Sequence, residues 1–84
     1  MNICFFIGKI ISDIKFDFII NNKNNISISL FILELNDNNK IKIEGYNDIA
    51  DFCYKELKKE DRIVLEGHIN NKMHIVINKI NKLT

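Results

Sequence analysis

Residues 40 to 67 hold a charged strand, a capped helix and a second strand in unbroken succession, and that order constrains the fold more than any other feature of the chain. Lys40-Ile41-Lys42-Ile43-Glu44 alternates polar and apolar residues. Side chains of a strand point to opposite faces with a period of two, so Ile41 and Ile43 are expected in a core and Lys40, Lys42 and Glu44 outside. If the chain stays extended through Gly45, Tyr46 joins the outer side, and two cations and an aromatic ring share one surface. Asn47 and Asp48 are good N-cap residues, because their short polar side chains accept from the first free N–H groups of a helix. Ile49, Phe52 and Leu57 follow at near-helical spacing and predict one apolar stripe on a helix over about residues 48 to 59. Ile63 and Leu65 then alternate with Arg62, Val64 and Glu66 as far as Gly67, so a strand resumes.

The same periodicity organises the rest. A first strand is expected from about Asn2 to Ile11, with Gly8 marking a bend or bulge. Lys15 to Ile19 alternates again, so this strand either continues past Ser12-Asp13 or restarts. Asn21 to Asn25 is a run of polar residues tolerant of left-handed backbone, where the chain should reverse. Ile26, Ile28 and Leu30 define the expected core side of the next strand, which runs to about Leu35; Phe31 shares the opposite parity with Ser27 and Ser29. Asn36 to Asn39 predicts a second turn. Gly67-His68-Ile69, then Asn70-Asn71-Lys72, then Met73 to Ile77 predicts a final hairpin, with fraying from Asn81. Three strands, a helix and two strands make an all-β domain with one helix, in the element order of the five-stranded Greek-key barrel known as the OB-fold, here one domain over residues 1 to 84.

A chain of 84 residues buries only roughly 60 to 65% of the surface that its unfolded form exposes, so association with further copies would help it. With 46% hydrophobic and 27% charged residues it reads as an ordinary globule. Twelve basic against eleven acidic side chains leave a net charge of +1, so any affinity for a polyanion must come from a local patch. Cys4 and Cys53 belong to no CxxC or Cys/His cluster, which predicts reduced thiols in a cytoplasmic protein, with no zinc site and no disulfide framework. No apolar run approaches the roughly 18 to 20 residues that span a bilayer. Phosphate-binding glycine loops, paired catalytic carboxylates and nucleophile triads are absent, so neither enzymatic activity nor a cofactor is expected.

Three segments resemble the bacterial single-stranded-DNA-binding protein family. Asn2-Ile3-Cys4-Phe5-Phe6-Ile7-Gly8-Lys9-Ile10 is similar to its opening asparagine, apolar run and glycine, and Ile28-Ser29-Leu30 to its second-strand F-S-L. Gly45-Tyr46-Asn47-Asp48-Ile49-Ala50, with Tyr54 through Gly67, is similar to its F/W-G-K-L-A and Y-L-K-K-G-D-x-V-x-V-E-G blocks. The resemblance implies a base-stacking role for Tyr46 and a basic role for Lys42 on the same strand. The family's stacking tryptophans have no counterpart in a chain without tryptophan, its long loops are cut to tight turns, and its acidic, partner-recruiting C-terminal tail is not expected here.

Residues and resemblance together predict non-catalytic binding of single-stranded DNA with little sequence preference. Tyr46 and Phe31 would stack on bases, Lys40 and Lys42 would meet phosphates, and Lys9, Lys72 and His74 are outer candidates by fold analogy. His68 and His74 lack partners at a spacing suited to metal or general-base chemistry. Phe5 and Phe6 cannot both face inward unless the first strand is covered on both sides, which points to a homodimer or homotetramer joined along that strand. Two alternatives stay open: an adaptor in a replication-restart or mobile-element complex with weak nucleic-acid affinity, and an RNA-binding module, since nothing in the sequence reads or rejects a 2′-hydroxyl.

Overall fold

The computed structural model describes residues 2–20 and 23–83. Its elements follow in the order β1 (Cys4–Ile10), β2 (Lys15–Ile20), β3 (Asn25–Leu35), β4 (Lys40–Tyr46), α1 (Asp48–Glu56), β5 (Arg62–Ile69) and β6 (Ile75–Lys82). β1 pairs antiparallel with β5, β5 with β6 and β3 with β4; β4 runs parallel to β6. β1 then returns to β3 through Gly8, Lys9 and Ile10, and the five strands close into an OB-fold barrel. At that seam Gly8 stands between Leu35 and Ile63, and a Cβ there would lie 2.5 Å from the Glu34 carbonyl oxygen, so only glycine lets the strands come this close. The first strand does not continue past Ser12-Asp13: it restarts as β2, which adds to β3 alone, with Lys15 opposite Leu30 and Ile20 opposite Asn25. The reversal expected at Asn21 to Asn25 joins these two strands, although Asn21 and Asn22 lie outside the described residues.

The alternation in β3 is the reverse of the one expected. Ser27, Ser29, Phe31 and Leu33 face the interior and Leu30 faces out. The helix is the reason. α1 closes one end of the barrel over the two serines, and the fully buried Ser29 Oγ donates to the Ala50 carbonyl oxygen at 2.7 Å. A larger side chain at Ser29 would hold the helix off, and a hydroxyl with a buried acceptor costs little to bury. Phe31, 3% exposed, is therefore a core residue, and its expected role as an outward stacking ring is corrected. It packs with Ile10, Leu33, Ile43, Ile63 and Leu65 in the barrel interior.

α1 is shorter than expected, ending at Glu56, where Leu57 leaves helical conformation with ψ 149 and turns inward to the core. Its buried stripe is Ala50, Cys53 and Leu57, with Ile49 and Phe52 half-buried beside it. Asn47 is the N-cap residue, but it works through the backbone: its side chain makes no cap hydrogen bond, and its own N–H donates to the Ser27 carbonyl at 2.9 Å. A φ of 57 at Asn47 is one that asparagine tolerates better than most residues. Asn81 and Lys82, expected to fray, are paired in the sheet. β6 runs to Lys82, opposite Ile63, and Lys82 Nζ lies 3.4 Å from Asp61 Oδ2.

Candidate nucleic-acid interface

The outward side of β3 and β4 forms one face of the barrel. Across it Lys40 stands opposite Glu34, Lys42 opposite Ile32, Glu44 opposite Leu30 and Tyr46 opposite Ile28. Lys15 of β2 pairs with Leu30 from the other side, and Val76 of β6 pairs with Glu44. Leu30 and Ile32 therefore form an apolar strip with Lys15 and Lys42 on either flank. A cleft of about 330 Å³ lies here, walled by Ser12, Asp13, Lys15, Lys42 and His74, with Phe31 and Ile43 at its base. Ser12 fixes one wall, because its Oγ accepts from the Ile32 N–H at 2.8 Å and donates to the Asp13 carbonyl at 3.1 Å.

Beside the cleft a carboxylate is held by three donors. Glu44 is 4% exposed; its Oε1 accepts from the Tyr46 hydroxyl at 2.5 Å, and its Oε2 accepts from Asn70 Nδ2 at 3.2 Å and from His74 Nδ1. Successive same-face residues of a strand lie about 6.6 Å apart, so the Tyr46 side chain must lean back along β4 to reach Glu44. The ring stays 36% exposed. Burial opposes the charge on Glu44, but the hydrogen bonds from Tyr46, His74 and Asn70, with the charge on His74, outweigh it and hold the carboxyl pKa below its ordinary value. The same hydrogen bond, helped by burial and by the negative charge of Glu44, pushes the Tyr46 phenol up to about 12.

The face thus brings together Lys40, Lys42, Tyr46 and His74. His74 is tied to Glu44, and Lys72 stands on the exposed turn beside it, where its N–H donates to Asn70 Oδ1 at 2.9 Å. Lys9 lies farther out, across Glu34 from Lys40, and its Nζ is 3.4 Å from Glu60 Oε2. Phe31 lies beneath the face. Sequence reasoning missed Lys15, Leu30, Ile32 and Asn70. The alternation from Lys15 was visible in the sequence, but its pairing with Leu30 depends on the restart after Asp13. Among the described residues, no group of three or more His, Cys, Asp or Glu side chains is placed to hold a metal ion. Cys53 lies on the buried side of α1, and burial pushes its thiol up to about 12 and away from nucleophilic character.

No protein-family model matches the sequence, and no curated protein matches it. Solved structures do resemble the fold. The SSB domain of a Synechococcus sp. protein superposes with a TM-score of 0.82 at 16% identity, over 96% of this chain and 94% of that one. The single-stranded DNA binding protein of Thermus aquaticus gives 0.86 at 15% identity, over 100% of this chain and 41% of that one. The mitochondrial single-stranded DNA binding protein of S. cerevisiae gives 0.77 at 20% identity, over 98% and 93%. The chain has the OB-fold of single-stranded-DNA-binding proteins.

Proposed function

We propose that this chain is a non-catalytic module that binds single-stranded DNA with little sequence preference and works as a homodimer or homotetramer. The observation that carries the reading is the apolar cleft between Lys15 and Lys42, with the Tyr46 ring two rows along the same face. Every base has a π-face, so stacking on Tyr46 would be indifferent to sequence and worth about 1 to 3 kcal/mol per base. Lys15, Lys42 and Lys40 would take phosphates, with Lys72 and then Lys9 farther out along the strand's path. The likeness to proteins that bind single-stranded DNA supports the reading from the side of the fold. Free thiols at Cys4 and Cys53 suit a reducing, cytoplasmic setting.

Assembly would use the outer side of β1. Among the described residues, Cys4 to Ile7 pair with β5 only, so one edge of this uncharged stretch is open, and Ile3, Phe5 and Ile7 stand exposed beside it. An antiparallel strand pair about a two-fold axis is self-complementary, which makes a second copy the fitting occupant. Titration of labelled oligo-dT at low salt tests the function. Binding is expected, with a log–log salt slope of roughly −2 if about three phosphates are neutralised per subunit. No binding at subunit concentrations on the order of tens of micromolar would overturn it. The net charge of +1 keeps one rival in view, an adaptor in a replication complex. Co-purification with a helicase or primase, without an oligonucleotide shift, would favour that rival, and competition between matched DNA and RNA oligomers would separate DNA from RNA.

A further inference from the structure

Taking the β3–β4 face as a single-strand-binding surface, we propose that Glu44 is its positioning residue: the carboxylate ties the Tyr46 ring and the β5–β6 turn into one arrangement that presents the ring to a base. A carboxylate in the middle of a face meant for phosphates is electrostatically unfavourable, unless its charge is taken up inside the protein. It is. Tyr46, Asn70 and His74 occupy both oxygens, and only 4% of the residue meets solvent. The link to the turn runs through one amide. Asn70 Oδ1 accepts from the N–H groups of Lys72 at 2.9 Å and His74 at 3.0 Å, which shapes the turn, while its Nδ2 reaches Glu44. Met73 in that turn has φ 66, a left-handed backbone that an ordinary side chain adopts only when its surroundings impose it.

Other charged and titratable groups stand around Glu44 without bonding it. On β4 this is Lys42; β3 offers Leu30, with Lys15 of β2 beyond it and Asp17 beside Ile28 one row away. β6 offers Val76, with His68 of β5 beyond it, and the His68 Nδ1 pairs with Asn78 Oδ1 at 3.0 Å. The turn adds Lys72. A ring held in place has less conformational freedom to lose when a base stacks on it, so the tie favours binding although the carboxylate itself touches no phosphate.

The sign of one substitution separates positioning from plain repulsion. The chain has two tyrosines and no tryptophan, so Tyr54→Phe leaves Tyr46 as the single fluorescent phenol while keeping an aromatic against Phe16. In that background, Glu44→Gln is expected to weaken oligo-dT binding about tenfold with an unchanged salt slope. Its phenol should titrate below about 12, shifted toward the ordinary 10.0, with burial keeping it from returning fully. Tyr46→Phe keeps the ring, removes the tie and carries little risk to folding; by fluorescence anisotropy of a labelled oligo-dT it should bind several-fold more weakly, whereas stacking alone predicts no change. Equal or tighter binding by Glu44→Gln, or undiminished binding by Tyr46→Phe, overturns the proposal while the parent still binds. Failure of the parent to bind oligo-dT overturns the function itself and the positioning role with it, and the phenol titration still reports whether the tie exists.

Discussion

A carboxylate on one face of this barrel is 4% exposed, while a phenylalanine on another, Phe5, is 72% exposed. Ordinary burial preferences run the other way. On the β3–β4 face the polar groups are satisfied from within: Glu44 has three donors, Ser12 bridges a loop to β3, and lysines flank an apolar cleft. On the outer side of β1 and β5, Ile3, Phe5 and Ile7 meet solvent beside the half-buried Val64, and nothing within the described residues covers them. On the proposed reading, the contrast divides the two faces between different classes of partner. One offers an apolar cleft flanked by lysines, which would suit a ligand with flat rings and charged links; the other presents apolar area and an open strand edge, which would suit a second copy of the chain.

The largest effect is expected where the two roles can be separated outright. Phe5→Glu should convert an oligomer to monomers, lowering the association constant by at least about 100-fold, because a two-fold interface carries the change twice and each buried ring contributes about 1.5 to 3 kcal/mol. Sedimentation equilibrium reads this directly. Oligo-dT binding per subunit should stay within a few-fold on a short oligomer. If the parent is already a monomer, or if the variant loses binding in proportion to mass, the division of labour between the faces is wrong.

A smaller effect sharpens the cleft side. Lys42→Gln and Lys15→Gln should each make the log–log salt slope shallower by about 0.7, the value for one phosphate fewer neutralised on a single strand. Lys9→Gln, already engaged with Glu60 and lying outside the cleft, should change the slope least of the three. Isothermal titration at several salt concentrations decides. A larger change at Lys9 than at Lys42 would move the track of the strand toward β1.

The two faces were unequally legible in the sequence. Period-two alternation in Lys40 to Glu44 and Arg62 to Glu66, with a helix between, was enough for the barrel, because the apolar residues of those strands face the core; of their polar residues Glu44 alone is buried, beneath its three donors. The outward row of Lys40, Lys42 and Tyr46 followed from the same parity, as did the unpartnered apolar side of β1. β3 was misread because its core side carries Ser27 and Ser29, chosen for the room that a helix needs and for a hydroxyl that reaches Ala50. That error exposed Phe31 and hid Leu30. Glu44 was legible only as a charge in a row, since its partners Asn70 and His74 sit 26 and 30 residues away and meet it through the parallel β4–β6 pairing, a long-range arrangement that no local pattern encodes.

A last set of effects, pH windows, belongs to the β3–β4 face alone. The Tyr46 phenol is raised from 10.0 to about 12, so below pH 10 it is protonated in both folded and unfolded chains and its contribution to stability is complete. Between about 10 and 12 the unfolded chain loses this proton first, and stability declines as pH rises through that range. Glu44 behaves in the opposite sense: its folded pKa lies below 4.5, so its contribution is present above that value and is lost as pH falls through the folded one. Urea unfolding of the parent, Tyr46→Phe and Glu44→Gln across both ranges separates these groups from the lysines and other carboxyls that titrate alongside. Tyr46→Phe should lose less stability than the parent on the alkaline side, and Glu44→Gln less on the acid side. Phe5→Ala, on the other face, should leave both windows in place. Parallel curves for parent and Tyr46→Phe from pH 10 to 12 would mean that the phenol and the carboxylate are not coupled, and the polar face would then be no more organised than the apolar one.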